Sequence, residues 1–296
     1  MQDMDISSLV VGSPPPIFDP NYNLPPPWEF EHLKEASESG DIDQVRKLSK
    51  SDKLSTNDLV YALTLAQQHG HMNVAAYLLD CGVPVQNYHV ESAILSTDYQ
   101  FLRLFLANSY DINEPITWNT PSLLIRSFHN QELCEWLLEH GADPNVRCAL
   151  DITPLSIAVQ EAPFDVIKLL FKHKSSIEYG QLLHYAVRRN TPDYLEVLNF
   201  ILDKHPSINQ VMFENNPTSY DLQKPFGIGT RLHEAVELGK VDVVETLLAR
   251  GADPAVRDAR GESAVDKAER NGISAIVDRL RHRGSVASES DQCHSV

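Results

Sequence analysis

The chain has 296 residues, 42% of them apolar, and a formal net charge of −16. This apolar share is enough for a packed core, but so acidic a chain lacks the Lys and Arg that nucleic-acid phosphates or an anionic membrane would require. The four cysteines form no close pair and no metal-ligand spacing, which indicates a reducing compartment. The acidic N-terminus has no signal-peptide pattern, and no apolar run reaches about 18 residues. We therefore predict an intracellular protein, cytoplasmic or nuclear.

Residues 1–29 form a proline-rich N-terminal tail that contains "SPPPIFDPNYNLPPPWEF". Proline fixes φ, so neighbouring prolines favour polyproline II over helix. Two interpretations remain open for this segment. It is either a structural segment, as a stiff tail or as a stretch that packs on the first repeat through Phe18, Trp28 and Phe30, or a ligand for a domain with an aromatic groove.

Residues 30–284 carry a recurring unit in which a helix rich in small residues precedes a Leu-rich helix. When the Leu-rich helices are aligned on the position of Gly251, the successive steps are 30, 27, 32, 33, 31, 46 and 33 residues. The aligned positions are Asp52, Gly82, Ser109, Gly141, Lys174, His205, Gly251 and Gly284. A period near 33 predicts about eight stacked helical repeats.

Individual repeats also carry local motifs, among them "TPLSIAV" at Thr153, "LLHYAV" at Leu182, "RLHEAV" at Arg231 and "EWLLEHGADPN" at Glu135. With these motifs in register, the chain resembles the ankyrin-repeat family. The resemblance implies an all-α solenoid of helix–turn–helix units joined by short β-hairpin fingers. It also implies that His184 and His233 form hydrogen bonds to backbone between repeats, and that the array binds another protein.

Repeats 3, 6 and 7 depart from the regular spacing. Repeat 3 is six residues short, and repeat 6 loses finger residues before Leu183 but gains three residues at 191–193. Repeat 7 is preceded by extra residues, and we call residues 209–229, "NQVMFENNPTSYDLQKPFGIG", the insertion. The more polar first and last repeats are predicted to cap the array, and residues 285–296 are predicted to form a disordered C-terminal tail.

No catalytic constellation is apparent in the sequence. His69 and His71 flank a glycine without a further ligand at metal spacing, and the aspartates of the "GADP" turns are better suited to local backbone hydrogen bonds. Cys148 has no identifiable catalytic partner. We therefore predict a protein without enzymatic activity, cofactor or metal.

Candidate partner-binding residues are aromatic or cationic side chains at positions that packing does not require. In the repeats these are Trp118 on a finger, Phe128 after a first helix, and the adjacent pair Arg188 and Arg189. For Phe128 the alternative is packing against a neighbouring loop, and for the arginines it is a solvated pair.

The insertion adds three aromatic candidates, Phe213, Tyr220 and Phe226. Exposed aromatic rings are unfavourable in water, so each ring is predicted to be buried either against the array or against a partner. We expect at least one ring to fold back on repeats 6 and 7 and another to reach the binding surface.

The function predicted from these features is a non-enzymatic protein-interaction module, acting as scaffold, adaptor or inhibitor, that binds a partner protein on its concave face and fingers. Two alternatives remain open at this stage. One is an accessory component of a small-molecule (secondary-metabolite) biosynthetic pathway, possible for a fungal protein, and the other is a transcriptional co-regulator.

Overall fold

The computed structural model describes residues 28–173 and 175–281. Residues 1–27 of the predicted proline-rich tail and the predicted C-terminal tail, 285–296, lie outside the described residues. The first helix begins at Trp28, so it includes the last two residues of the predicted tail. The chain divides into two compact units, one that ends at Ile112 and one that begins at Asn113.

The first unit contains three helix–turn–helix pairs. Helix α1 packs against α2 and α3, α3 packs against α4, and α5 packs against α6. The hydrogen bond of 2.9 Å between Thr64 Oγ1 and His89 Nε2 joins the first helices of the second and third pairs. The six helices are α1 (Trp28–Ser39), α2 (Ile42–Leu48), α3 (Thr56–Gln68), α4 (Met72–Asp80), α5 (Asn87–Leu95) and α6 (Tyr99–Ala107).

The second unit continues the same pattern over repeats 4 to 8. Repeat 4 opens with a 3-10 helix, Leu123–Ser127, followed by α7 (Gln131–Glu139). The next pairs are α8 (Pro154–Glu161) with α9 (Phe164–Lys172), and α10 (Leu182–Arg188) with α11 (Tyr194–Leu202). The insertion holds α12 (Pro217–Gln223) and a 3-10 turn, Lys224–Phe226. Repeats 7 and 8 comprise α13 (Arg231–Glu237), α14 (Val241–Ala249), α15 (Ala264–Arg270) and α16 (274–281).

The predicted repeat register is confirmed at the ends of the second helices. Positive φ angles occur at Gly82, Ser109, Gly141, His205 and Gly251, which are five of the aligned positions. A left-handed residue there ends a helix and turns the chain into the next finger. Ser109 and His205 adopt this conformation although they have side chains, which shows that the repeat geometry overrides local preference.

The starts of several first helices follow from capping residues. Ser55 with Asp58, Thr153 with Ser156, and Ser263 with Asp266 each form a reciprocal capping box. In each box both side chains satisfy backbone N–H groups that have no partner within the helix, so the sequence fixes where the helix begins. Repeat 6 is an exception, because Gln181 occupies the capping position in a left-handed conformation.

The fingers between helix pairs are tight turns with little strand structure. Isolated antiparallel bridges join Thr117 to Thr120 and Arg257 to Ser263, and no longer strand occurs within 28–173 and 175–281. The architecture is therefore an all-α solenoid of helix–turn–helix units.

Leu137 and Leu247 are fully buried on the second helices of repeats 4 and 7. We expect Leu137→Ala or Leu247→Ala to lower the free energy of unfolding by roughly 2–5 kcal/mol, because each leaves a cavity between helix pairs. Leu238→Ala, at an exposed leucine of the same unit, should change it by at most about 0.5 kcal/mol. Denaturant unfolding followed by circular dichroism measures all three, and equal effects would contradict the assigned register.

Candidate functional site

The seven side chains that the sequence predicts as partner contacts all lie in the second unit, where their exposures differ widely. Trp118 and Phe226 are exposed, and Arg188 and Tyr220 are half-buried. Phe128, Arg189 and Phe213 are buried, and Phe213 thereby adopts the fold-back packing expected for at least one ring of the insertion. A role of these residues in partner binding stays a prediction. Phe128 follows the short 3-10 helix of repeat 4 and packs inward, in line with the alternative left open for this residue.

Arg189 is a structural residue rather than a surface cation. Its side chain is 1% exposed and forms two parallel hydrogen bonds of 2.8 Å with the Asp193 carboxylate. The same guanidinium donates to the carbonyl oxygens of Val159 and Ala162 at the end of the preceding repeat's first helix. A buried Arg with all these acceptors fixes the three added residues of repeat 6 against repeat 5.

Arg188, the neighbouring arginine, belongs to a buried polar cluster between repeats 6 and 7. Its Nε donates to Glu234 Oε1, while His184 Nδ1 lies 2.6 Å from Glu234 Oε2. A carboxylate only accepts hydrogen bonds, so His184 donates from Nδ1. Nε2 is buried and has no hydrogen-bond partner in the described chain.

The charges of this cluster follow from burial and pairing. Burial lowers the pKa of His184 to about 4, and the nearby positive charge of Arg231 acts in the same direction. Burial by itself would raise the pKa of Glu234, but Arg188 and His184 outweigh it and lower this pKa to about 2. A neutral His184 beside an ionised Glu234 therefore joins repeats 6 and 7 at neutral pH.

His233 takes the role that the family resemblance implies, whereas His184 does not. His233 lies 3.0 Å from the carbonyl oxygen of Glu262 in repeat 8 through Nε2, and its Nδ1 contacts the Thr230 cap. His184 has Gln181 in place of a capping threonine and contacts the side chain of Glu234 instead.

The insertion folds back on the second unit, as one of the two sequence interpretations requires. Phe213 is 5% exposed, and its backbone N–H donates to Gln181 Oε1 at 3.2 Å. The base of the insertion is closed by a backbone hydrogen bond of 3.0 Å from Met212 to Gly229. Gly229 must be small there, because a Cβ would lie 2.7 Å from the His233 ring.

Two further contacts hold the outer part of the insertion. Ser219 Oγ donates to the carbonyl oxygen of Ala149 on the finger between repeats 4 and 5 at 3.4 Å. Arg260 Nη2, on the finger of repeat 8, donates to the Pro225 carbonyl oxygen at 2.9 Å. The segment is thus fixed by side chains and backbone of several repeats rather than hanging as a free loop.

The fixed insertion nevertheless presents two large apolar side chains to solvent. Leu222 on α12 is 51% exposed, and Phe226 on the following turn is 72% exposed. We call these two residues the insertion ridge. Tyr220 is half-buried beside them, with Lys224 Nζ 5.9 Å from its ring centroid. Sequence reasoning selected the aromatic residues and missed Leu222, although its spacing of four from Phe226 is a helical-neighbour signal.

Trp118 is another exposed aromatic residue of the unit, at 61% exposure. It stands at the tip of the repeat 4 finger, in the turn closed by the bridge between Thr117 and Thr120. Thr117 Oγ1 donates to Asn119 Oδ1 at 2.6 Å, which stiffens that turn. This side chain is exposed as the sequence predicts, and its role in binding remains a prediction.

No group of three or more His, Cys, Asp or Glu side chains within 28–173 and 175–281 is placed to hold a metal ion. Cys134 and Cys148 are buried free thiols, and His71 Nε2 contacts the Glu38 carbonyl oxygen in the first helix of the preceding repeat. In the described part of the chain, no helix is both long and apolar enough to cross a membrane.

These features define a class of protein, an array of stacked helix pairs with an ordered insertion. The family model for three copies of the ankyrin repeat matches residues 122–212, and the model for a single ankyrin repeat matches 230–259. The chain belongs to the ankyrin-repeat proteins, whose repeats are protein–protein interaction modules. Residues 213–229, most of the insertion, fall between the two matched stretches.

Similar proteins carry the same repeats in different contexts. The chain is 24% identical over 183 residues to FPV244, an ankyrin repeat protein of Fowlpox virus (strain NVSL), covering 57% of this chain. It is 25% identical over 222 residues to alpha-latrotoxin-Lg1a of Latrodectus geometricus, covering 73% of this chain. The matches span only 27% and 13% of the length of these two relatives.

Solved structures support the fold. The ankyrin repeat domain of Bcl-3, described as a member of the IkappaB family, superposes with a TM-score of 0.50 at 17% identity over 66% of this chain and 85% of that domain. An ankyrin repeat domain from Acinetobacter baumannii AYE gives 0.50 at 20% identity over 67% of this chain and 99% of that domain.

Acidification should destabilise the fold through the protonation of buried His184. Unfolded His184 has an ordinary pKa near 6.5 and the folded residue about 4, so the unfolded state binds more protons between these values. From pH 6.5 to about pH 5, this residue alone should lower the free energy of unfolding by roughly 2 kcal/mol.

The variant His184→Gln can still donate to Glu234 but does not titrate. Over the same pH range, the wild type should therefore lose roughly 2 kcal/mol more of its free energy of unfolding than this variant. Ile201→Val, a buried change without a titratable group, should keep the wild-type pH dependence. Denaturant titrations at the two pH values provide the comparison, and an unchanged pH dependence in His184→Gln would refute the neutral state of His184.

The two phenylalanines of the insertion should respond in opposite ways to truncation. Phe213→Ala removes a buried ring and should destabilise the insertion by roughly 3 kcal/mol, exposing it to limited proteolysis. Phe226→Ala removes an exposed ring and should change stability by at most about 0.5 kcal/mol. Equal protease resistance of the two variants would show that Phe213 does not fasten the insertion.

Proposed function

We propose that this chain is a non-enzymatic adaptor that binds a partner protein through the insertion ridge, with the Trp118 finger as a second contact. One observation carries the proposal. Leu222 and Phe226 are 51% and 72% exposed on a segment that is held in place by backbone and side-chain contacts. A tolerated loop would be expected to carry polar residues at such positions, because exposed apolar side chains gain nothing in water.

The energetic gain from covering the ridge would be large enough to matter. Fully burying an exposed Leu or Phe side chain is worth about 1.5–3 kcal/mol, and because both side chains are already partly buried, the ridge supplies roughly 2–4 kcal/mol before the costs of association. Aromatic anchors of this kind dominate many protein interfaces. The ridge thus serves as the central contact, and Trp118 would add a separate aromatic contact from the finger of repeat 4.

The charge of the chain favours a particular kind of partner segment. With a net charge of −16, the protein repels acidic surfaces at long range and attracts basic ones. A segment with an apolar anchor flanked by Lys or Arg would therefore associate fastest. Basic residues would set the rate of encounter, and the apolar anchor would set the lifetime of the complex.

The proposal is tested by affinity purification with wild-type and variant baits from cells of the source organism. Proteins held by wild type should be lost from a Leu222→Ala/Phe226→Ala bait, because the variant removes the apolar anchor but no buried core side chain. The affinity of each purified candidate is then measured by calorimetry, where a loss of at least tenfold is expected.

A matched control bait separates the ridge from exposed apolar surface in general. Leu238 is an exposed leucine of the same unit, and Leu238→Ala should retain the same partners at the wild-type level. The proposal fails if the double variant retains every partner at full affinity, or if Leu238→Ala loses them equally.

A further inference from the structure

A cleft of about 440 Å³ lies between the finger of repeat 6 and the first part of the insertion. Its wall includes the buried Leu182 and Leu183, together with Ser207 and Asn215, whose hydroxyl and amide groups are neutral hydrogen-bond donors. The volume falls in the range typical of small-ligand sites. The cleft is separate from the exposed side chains of the insertion ridge, which are not part of its lining.

Arg231 lines this cleft and is the group that points to a ligand. Its side chain is 4% exposed, and Nη1 donates to the Gln210 carbonyl oxygen. Nε is buried without a hydrogen-bond acceptor among the described residues. No carboxylate of residues 28–173 and 175–281 forms an ion pair with this guanidinium.

The nearest carboxylates do not neutralise Arg231. Glu234 is already shared by Arg188 and His184, and Glu214 acts on Arg231 only at longer range. Burial lowers the pKa of Arg231 to about 10, which leaves it charged at neutral pH despite the unfavourable surroundings. A buried cation with one backbone acceptor is costly, and an anion in the cleft would relieve that cost.

The geometry of the free edge selects the kind of anion. Nε lies on the edge of guanidinium that binds a carboxylate or phosphate through two parallel hydrogen bonds. Glu178 also lines the cleft, and its negative charge disfavours a doubly charged phosphate more than a singly charged carboxylate. With the Arg231 cation and the Glu178 carboxylate in one lining, the cleft therefore fits an anion with a single negative charge better than one with two.

We propose that this cleft binds a carboxylate group through the Nε edge of Arg231, with Ser207 and Asn215 as neutral donors. The carboxylate belongs either to a peptide, as its C-terminus or an acidic side chain, or to a small carboxylic acid. This site goes beyond the proposed function, since it does not require the insertion ridge to bind anything.

Acetate is the first probe. Its binding is monitored through the Arg231 Nε–H signal in ¹H–¹⁵N NMR spectra of the full chain. The signal is assigned by its loss in Arg231→Lys, which keeps the charge but removes Nε. Sodium acetate should move this signal saturably, whereas sodium chloride at equal ionic strength should not. Inorganic phosphate should bind at least several-fold more weakly.

Variants link the binding to Arg231. Acetate affinity by calorimetry should fall at least tenfold in both Arg231→Lys and Arg231→Met, with folding checked by circular dichroism. Arg257→Met, at an exposed arginine of the same unit, and the Leu222→Ala/Phe226→Ala variant should bind acetate like wild type. If the Leu222→Ala/Phe226→Ala variant binds acetate normally, the carboxylate site does not depend on the insertion ridge, and the two proposals can fail separately.

Two further probes distinguish the source of the carboxylate. N-acetylglycine represents a peptide C-terminus, and N-acetylglutamic acid amide represents an acidic side chain. Tighter binding of either one than of acetate assigns a peptide carboxylate, and equal or weaker binding assigns a small acid. The proposal is overturned if no carboxylate gives a saturable shift, if chloride gives the same shift, or if Arg231→Met keeps wild-type acetate affinity.

Discussion

A buried carboxylate between two helix pairs organises the part of the chain that departs most from a regular array. Glu234 on α13 accepts from His184 and Arg188 on α10, so repeats 6 and 7 share a charged contact as well as an apolar interface. An ionised carboxylate stays buried only where it is fully paired. Glu234 therefore fixes the protonation of His184, occupies Arg188, and leaves Arg231 without a carboxylate of its own.

The absence of a capping threonine in repeat 6 explains why this contact exists. In repeat 7 the Thr230 side chain contacts His233 Nδ1, so that His233 turns its other nitrogen to backbone. In repeat 6 the position holds Gln181, whose amide reaches outward instead. It donates to Asp151 and accepts from the backbone of Phe213, and so links the repeat 5 finger to the insertion. A single substitution at a cap thus redirects a histidine and anchors a segment.

The sequence predicts the repeat array, but it predicts the exposure of individual surface side chains only in part. Apolar periodicity and glycine positions depend on local rules that hold in every repeat, so the register could be predicted as far as the described residues extend. Whether a given side chain is exposed depends on which neighbours reach it. Arg188 and Arg189 are adjacent, yet one contacts the next repeat and the other the preceding one. Phe213 and Phe226 belong to one segment, and only the fold of that segment separates the buried ring from the exposed one.

The fixed conformation of the insertion affects the rates at which a partner would bind and dissociate. Because Met212, Phe213, Ser219 and Pro225 already hold the segment in one conformation, little conformational entropy remains to be lost when a partner covers Leu222 and Phe226. A preorganised surface of this kind associates without waiting for a folding step. Differences in affinity among partners should then arise in the rate of dissociation, so one rigid platform could discriminate between ligands by how long each remains bound.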